Sequence, residues 1–259
     1  MTRELRALRA IETEMNTIPG HLGFYYKNLV TGLEYSVRGE ETFLAASVIK
    51  FPLLLHVLDR AEKGEISLSQ KLTVGNHEKV PSCGGLNQFT EAVEADIATL
   101  CRLMIVLSDN TATNKLLRFC GMEETNAAFR AMGLEKTVIN RLLFDYEAAK
   151  RGFQNYICPK EMGMLLERLY RKEFVSPEVS QYAVDILLDQ QIGHKLDGKL
   201  CGAVPIAHKT GEDDSLSNDV GIVFAEEPFV ICFAGHDTDV YRWEDLIRRS
   251  TFDLVQMQK

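Results

Sequence analysis

Ser47 and Lys50 stand three residues apart in Ser47-Val48-Ile49-Lys50, the only S-x-x-K in the 259-residue chain. Residues at that separation share a helix face, which puts the amine beside the hydroxyl. A serine hydroxyl is a weak nucleophile until a neighbour takes its proton, and a lysine desolvated against apolar helices can lose its own proton near neutral pH. The following residues, Phe51 to Leu58, are almost wholly apolar, so the helix they form is buried on most sides and leaves Lys50 no easy route to water. Its N-terminal end also favours a developing oxyanion at Ser47. The plainer reading, an N-cap serine followed by a surface lysine, fits the tetrapeptide alone but not the apolar run.

Two further motifs carry candidate chemistry. Ser108-Asp109-Asn110 interrupts two helical patterns, after Leu103 to Leu107 and before Thr111 to Phe119. A polar tripeptide there stops one helix and caps the next. It can also pass a proton to a leaving nitrogen through Ser108 and hold a substrate carbonyl with the Asn110 amide. His208-Lys209-Thr210-Gly211 ends a strand that begins near Val204. It reads either as a solvated edge with a turn glycine, or as the place where Lys209 and Thr210 meet a substrate carboxylate. In the second reading the small Gly211 lets a substrate pair with the strand edge, and the amide of Glu212 joins that of Ser47 as an oxyanion hole.

These motifs occur once each, in the order S-x-x-K, S-D-N, K-T-G, each on the element type its role requires. In this the chain resembles the class A β-lactamases and penicillin-binding proteins, which share the motif set, and the resemblance covers nearly the whole chain. It implies an α/β (α+β) fold: a five-stranded antiparallel sheet flanked by helices, an all-helical second domain, and a cleft between them holding the motifs. Carried over by motif, Ser47 resembles the acylated serine, Lys50 its activator, Ser108 the proton shuttle and Asn110 a substrate clamp. Lys209 with Thr210 resembles the carboxylate-binding pair, and Asp109 holds its loop. The implied partner is a small-molecule acyl substrate, with β-lactam rings as the nominal class. An ester, a small amide or a peptide ending in D-amino acids would suit the same chemistry, and a non-catalytic sensor could use the cleft to bind or be acylated once.

The sequence departs from that family in two places. Class A β-lactamases carry a glutamate closely followed by Leu-Asn, which activates the water that hydrolyses the acyl-enzyme. Here the corresponding stretch runs from Asn140 to Ala149 and has no E-x-x-L-N. Asp145 and Glu147 are the candidates for activating water there; they read equally well as ordinary loop carboxylates. The second departure is Asp219, near where many β-lactamases place an arginine that helps bind the substrate carboxylate. An acid there disfavours anionic penicillins unless Lys209 and a residue such as Arg242 compensate.

The elements that must position these residues follow from patterning. Leu5, Leu8, Ile11 and Met15 make one stripe of a first helix. Residues 22–38 alternate as a hairpin around Thr31-Gly32. From Ser47 to about Gln191 the pattern is helical, with helices from Ser47, up to Leu107, over Thr111 to Phe119, from Pro159 to Arg171 and from Pro177 to about Gln190. Val204 to Gly211, Asp219 to Phe224 and Phe229 to Ala234 read as strands, and a last helix starts near Tyr241. Strands at both ends imply one sheet domain from residues 1–46 and 195–259, with residues 47–194 as a helical domain and the active site between them.

Composition bounds the rest. A chain of this length with 46% hydrophobic residues buries a full core. A net charge of -8 repels phosphate backbones and anionic lipids, which argues against nucleic acid as a partner. No run is long and apolar enough for a bilayer, and the first twenty residues hold no export signal, so the chain as given reads as cytoplasmic, or as exported if a leader has been removed from it, and not as a membrane protein. The six cysteines form no CxxC pair and no zinc-spaced cluster, so neither a metal nor a cofactor is expected. Cys101, Cys120 and Cys232 sit in apolar patterns, as reduced buried thiols do.

Overall fold

The structure, a computed structural model, describes residues 2–258. Helix α1 (Arg3–Met15) is capped by Thr2, whose hydroxyl accepts from the Leu5 amide, and buries Leu8, Ile11 and Met15 at helical spacing. Strands β1 (His21–Asn28) and β2 (Glu34–Val37) form the hairpin, with Phe24 opposite Val37. The Asn28 side-chain oxygen accepts from the amides of Val30 and Thr31 at 2.9 Å and fixes the turn. At the other end of the chain, β7 (Ile206–Asp213), β8 (Leu216–Val223) and β9 (Phe229–His236) lead into α9 (Val240–Gln256). The five strands make one antiparallel sheet in the order β2-β1-β9-β8-β7. Strand β7 therefore has one free edge.

Each face of the sheet carries its own core. Successive side chains on β1 alternate, so Phe24 and Tyr26 pack under α1 and α9 with Leu8, Phe233, Trp243 and Ile247. Tyr25 points the other way, into a larger core with Val220, Ile222 and Cys232. That second core is closed by residues 47–188. It draws on α2 (Lys50–Glu62), α3 (Ile97–Val106), α4 (Asn110–Cys120), α5 (Met122–Ala131), α7 (Pro159–Tyr170) and α8 (Pro177–Leu188). Helix and sheet side chains thus share one continuous core.

Three details differ from the sequence reading. The helix expected from Ser47 begins with a 3-10 turn, Ala46–Ile49, and becomes α-helical at Lys50. The strand expected to end at Gly211 runs on to Asp213, so Lys209-Thr210-Gly211 lies inside it. The stretch read as helical also holds two small antiparallel pairs: β3 (Phe43–Leu44) with β6 (Tyr156–Ile157), and β4 (Lys71–Val74) with β5 (Val93–Asp96). Their half-exposed, two- to four-residue strands are too short to set a period. Among the described residues no helix is long and apolar enough to cross a membrane.

Candidate active site

Ser47 sits in the 3-10 turn, behind Ala46 at a left-handed φ of 41°. The turn is held from the sheet. The fully buried Asn218 donates from Nδ2 to the carbonyls of Leu44 (2.9 Å) and Ala45 (3.1 Å), while its Oδ1 accepts from the Gly235 amide at 2.9 Å. Strand β7 presses on the same turn at Gly211, where a Cβ would lie 3.0 Å from the Ala45 carbonyl and 3.2 Å from the Ser47 nitrogen. A side chain there would push the strand off the nucleophile.

Lys50 is wholly buried, and its Nζ lies 2.8 Å from Ser47 Oγ, 2.7 Å from Asn110 Oδ1, 2.8 Å from the Ser108 carbonyl and 3.0 Å from Ser108 Oγ. Burial first, and the Lys209 cation second, hold its pKa well below the ordinary lysine value. A neutral amine has two N–H groups, and two of its four neighbours are carbonyl oxygens that can only accept. In the neutral form those carbonyls take both protons, which leaves the lone pair for the two hydroxyls. This is the arrangement a proton acceptor for serine needs.

Ser108 has a left-handed φ of 53° and carries the network to β7, where Lys209 Nζ donates to Ser108 Oγ at 3.2 Å and to the Thr210 carbonyl at 2.9 Å. Burial, then the Lys195 cation, pushes Lys209 down to about 7. Asp109 holds its surroundings. One carboxylate oxygen caps α4 by accepting from the Ala112 amide at 2.8 Å, and the other accepts from the amides of Gly85 (2.7 Å) and Leu86 (2.8 Å). Gly84 passes so close that a Cβ would lie 2.3 Å from this carboxylate.

Ser47, Ser108, Asn110, Thr210 and Glu212 line one cavity of about 400 Å³, with Lys50 and Lys209 buried behind it. Four residues lining it have left-handed backbone without being glycine: Ala46, Ser82, Ser108 and Phe144. Conformations of this kind cost about 1–2 kcal/mol each and gather at functional sites.

Asp145 and Glu147 are not brought into this cavity. The Asp145 carboxylate caps the short helix α6 (Tyr146–Lys150) by accepting from the Ala148 amide at 2.9 Å, and Glu147 is an exposed carboxylate paired with Lys150 at 2.8 Å. The loop residue presented instead is Leu143. Asn114 of α4 grips its backbone from both sides, donating to its carbonyl and accepting from its amide, each at 2.9 Å. Asp219, expected to disfavour anions, is fully buried outside the cavity lining, where it pairs with His208 Nδ1 at 2.9 Å and accepts from the Leu196 amide at 3.2 Å. Arg242 cannot compensate for it, because its guanidinium donates to Thr17 Oγ1 on the far helix pair.

Sequence reasoning missed Leu143, Asn114, Asn218 and Lys195. Lys195 is fully buried, with Nζ 2.9 Å from the Glu212 carboxylate, 3.3 Å from Ser217 Oγ and 3.4 Å from the Gly211 carbonyl. Nothing in its sequence context, a polar stretch with Gly193 and His194, signals burial. Cys83 also lines the cavity, and all six cysteines are free. Among the described residues no three His, Cys, Asp or Glu side chains group to hold a metal ion.

Residues 6–256 match the Beta-lactamase enzyme family. The chain belongs to that family. It is 26% identical to a β-lactamase of Rhodobacter capsulatus over 216 residues, which are 81% of this chain and 73% of that protein. It is 24% identical to β-lactamase VEB-1 of Pseudomonas aeruginosa over 202 residues, 72% of this chain and 67% of that one. Among solved structures, PBP-A is similar with a TM-score of 0.88 at 29% identity, covering 98% of this chain and 96% of that one. A mutant of PBP-A in an acyl-enzyme complex with penicillin G has the same TM-score and coverage at 28% identity. An ancestral class A β-lactamase has a TM-score of 0.87 at 25% identity, over 98% of this chain and 100% of that one.

Proposed function

We propose that this family member is a serine hydrolase that opens β-lactam amides by forming an acyl-enzyme at Ser47 and releases the product slowly. One observation carries the reading: the buried Lys50 Nζ lies 2.8 Å from Ser47 Oγ and within hydrogen-bond reach of two carbonyl oxygens, so that in its neutral form the carbonyls take both protons and leave the lone pair for Ser47. The Ser47 proton moves to Lys50 Nζ as Oγ bonds to the substrate carbonyl carbon. The amides of Ser47 and Glu212 hold the oxyanion. Ser108 then gives its proton to the leaving nitrogen and is reprotonated from Lys50, and the C–N bond breaks. Asn110 clamps the acyl side, and Lys209 with Thr210 binds the carboxylate. The cleft walls are the helical part, residues 47–194, and the sheet part, residues 1–46 and 195–259.

Slow release follows from the loop. The residues it turns into the cavity are Arg141, Leu143, Phe144, Tyr146 and Ala149, none of them a carboxylate. A positioned base contributes roughly two to four orders of magnitude to such a step. The same observation favours a second reading, an esterase, amidase or D-amino-acid peptidase that β-lactams acylate and stall; a sensor would stop at the adduct. Mixing the protein with a chromogenic cephalosporin, following hydrolysis and weighing the intact protein tests all three. Slow turnover with a burst and an adduct at Ser47 supports the proposal. A permanent adduct selects the second reading or the sensor, and no adduct at all removes β-lactams from the substrate class.

A further inference from the structure

Charge is sorted along the cleft. Behind its floor lie three fully buried lysine amines, Lys50, Lys209 and Lys195. Its lip, where β7 turns into β8, is acidic, with Glu212, Asp213 and Asp214 all lining the cavity. These three carboxylates are not equivalent. Glu212 is held by Lys195 at 2.9 Å and by His194 at 3.4 Å. Asp213 and Asp214 are exposed, and among the described residues neither is in an ion pair; the one hydrogen bond between them runs from the Asp214 amide to Asp213 Oδ1 at 2.9 Å.

The opposite wall is mostly apolar, and the one cation among its described residues, Arg141, is tied at Nε (3.1 Å) and Nη2 (3.0 Å) to the Gln154 side-chain oxygen. Leu143 is pinned by Asn114, and Phe144, at a left-handed φ of 62°, sets its ring edge-on to Tyr146 with centroids 6.0 Å apart. Tyr146 is 63% exposed and lines the cavity, so its ring is free to pack against a ligand. Between wall and lip lies Thr210, 2% exposed, whose hydroxyl has no hydrogen-bond partner among the described residues and faces the cavity. Open to the cavity and without a protein partner, this hydroxyl is available to a ligand oxygen.

We propose that the cleft selects acyl donors whose acyl side chain combines an apolar or aromatic body with a protonated amine. The body packs on Phe144 and Tyr146, the ammonium meets Asp213 and Asp214, and the far carboxylate meets Thr210 and Lys209. This rests on the acyl-transfer reading above and adds the substrate class to it. The selecting groups are unneutralised charges at the lip, whereas those that drive the reaction are buried behind the nucleophile. Half-exposed charge contacts of this kind discriminate by roughly three- to tenfold, and salt weakens them.

Benzylpenicillin and ampicillin share one nucleus and carboxylate and differ by a single α-amino group on the phenyl-bearing acyl chain. The second-order rate constant for adduct formation at Ser47 is measured for each by intact mass, at low salt and near pH 6.5, where the amine is mostly protonated. The expected ratio favours ampicillin by roughly three- to tenfold and falls toward one in about 0.5 M salt. In the double variant Asp213→Asn with Asp214→Asn it falls to about one, while Tyr146→Ala slows both ligands and leaves the ratio in place. A parent ratio at or below one, or a ratio the double variant does not move, overturns the inference and leaves acyl transfer standing. No adduct with either ligand removes β-lactams from the substrate class and this inference with them. A melting curve for each variant separates lost selectivity from lost fold.

Discussion

The pocket around Ser47 and the loop from Asn140 to Pro159 face the same cavity and are built in opposite ways. In the pocket Lys50, Ser108, Asp109, Asn110 and Lys209 are buried and the bonding is dictated from several elements: Lys50 by four contacts, Asp109 by three amides, the turn of Ser47 by Asn218. On the loop the carboxylates are spent on local structure, and the residue held most firmly toward the nucleophile is an apolar one, Leu143. Under the function proposed above, the difference teaches that equipment for forming an acyl bond and equipment for breaking it are separable, and that this chain is built for the first.

The largest expected effect lies in the pocket. Lys50→Ala should keep the fold and slow acylation by at least about two orders of magnitude, and Lys50→Arg should not restore it, because a guanidinium stays charged and takes no proton from Ser47. The check is adduct formation by stopped mixing and intact mass. Near-normal rates in Lys50→Arg would show that only a positive charge is needed. Ser47→Ala should abolish β-lactam labelling. Cys83, the thiol in the same cavity, is the site to inspect if label persists.

The next effect breaks the comparison from the loop side. Leu143→Glu places a carboxylate where Asn114 already fixes the backbone, and should shorten the lifetime of the Ser47 adduct by about two orders of magnitude. An unchanged lifetime in a normally folded variant would mean that water is activated elsewhere or not at all.

The pH profile comes third. Lys50 accepts a proton only when neutral, so acylation rises with pH as its depressed pKa is passed. Lys209 binds carboxylate only when charged, so the rate constant with free enzyme falls again above about 7. Both limbs approach tenfold per pH unit. A profile flat from about pH 5 to 9 would contradict both assignments.

The smallest effects belong to the loop acids. Asp145→Ala should cost about 1 kcal/mol of stability as a lost helix cap, read by denaturant melts, while Glu147→Gln should stay within about 0.5 kcal/mol. Deacylation should change less than about twofold in either. A collapse in one of them would make that residue the missing base.

The antiparallel sheet and the approach of Lys50 to Ser47 were legible in the patterning, whereas the meeting of Ser108 and Lys209 with them was implied only by the family resemblance. A helix face brings residues three apart together, and an apolar run says the face is buried. The rest was not legible, for stated reasons. Asp145 was readable as a cap only after the five-residue α6 behind it was known. The grip of Asn114 on Leu143 and that of Asn218 on the turn before Ser47 join segments far apart in the chain and leave no local pattern. Asp219 could not be assigned to His208 without the register that sets β7 against β8.

Strand β1 has β9 as its inner neighbour, so Phe24, made early, must wait for Phe233. During synthesis the helices that bury Lys50 emerge before β7, β8 and β9, with the sheet-facing side of their shared core still wet. The nascent chain therefore exposes a large apolar surface late into translation and fixes the turn before Ser47 only when the carboxy-terminal strands dock, which predicts slow refolding in which the Ser47 pocket forms last.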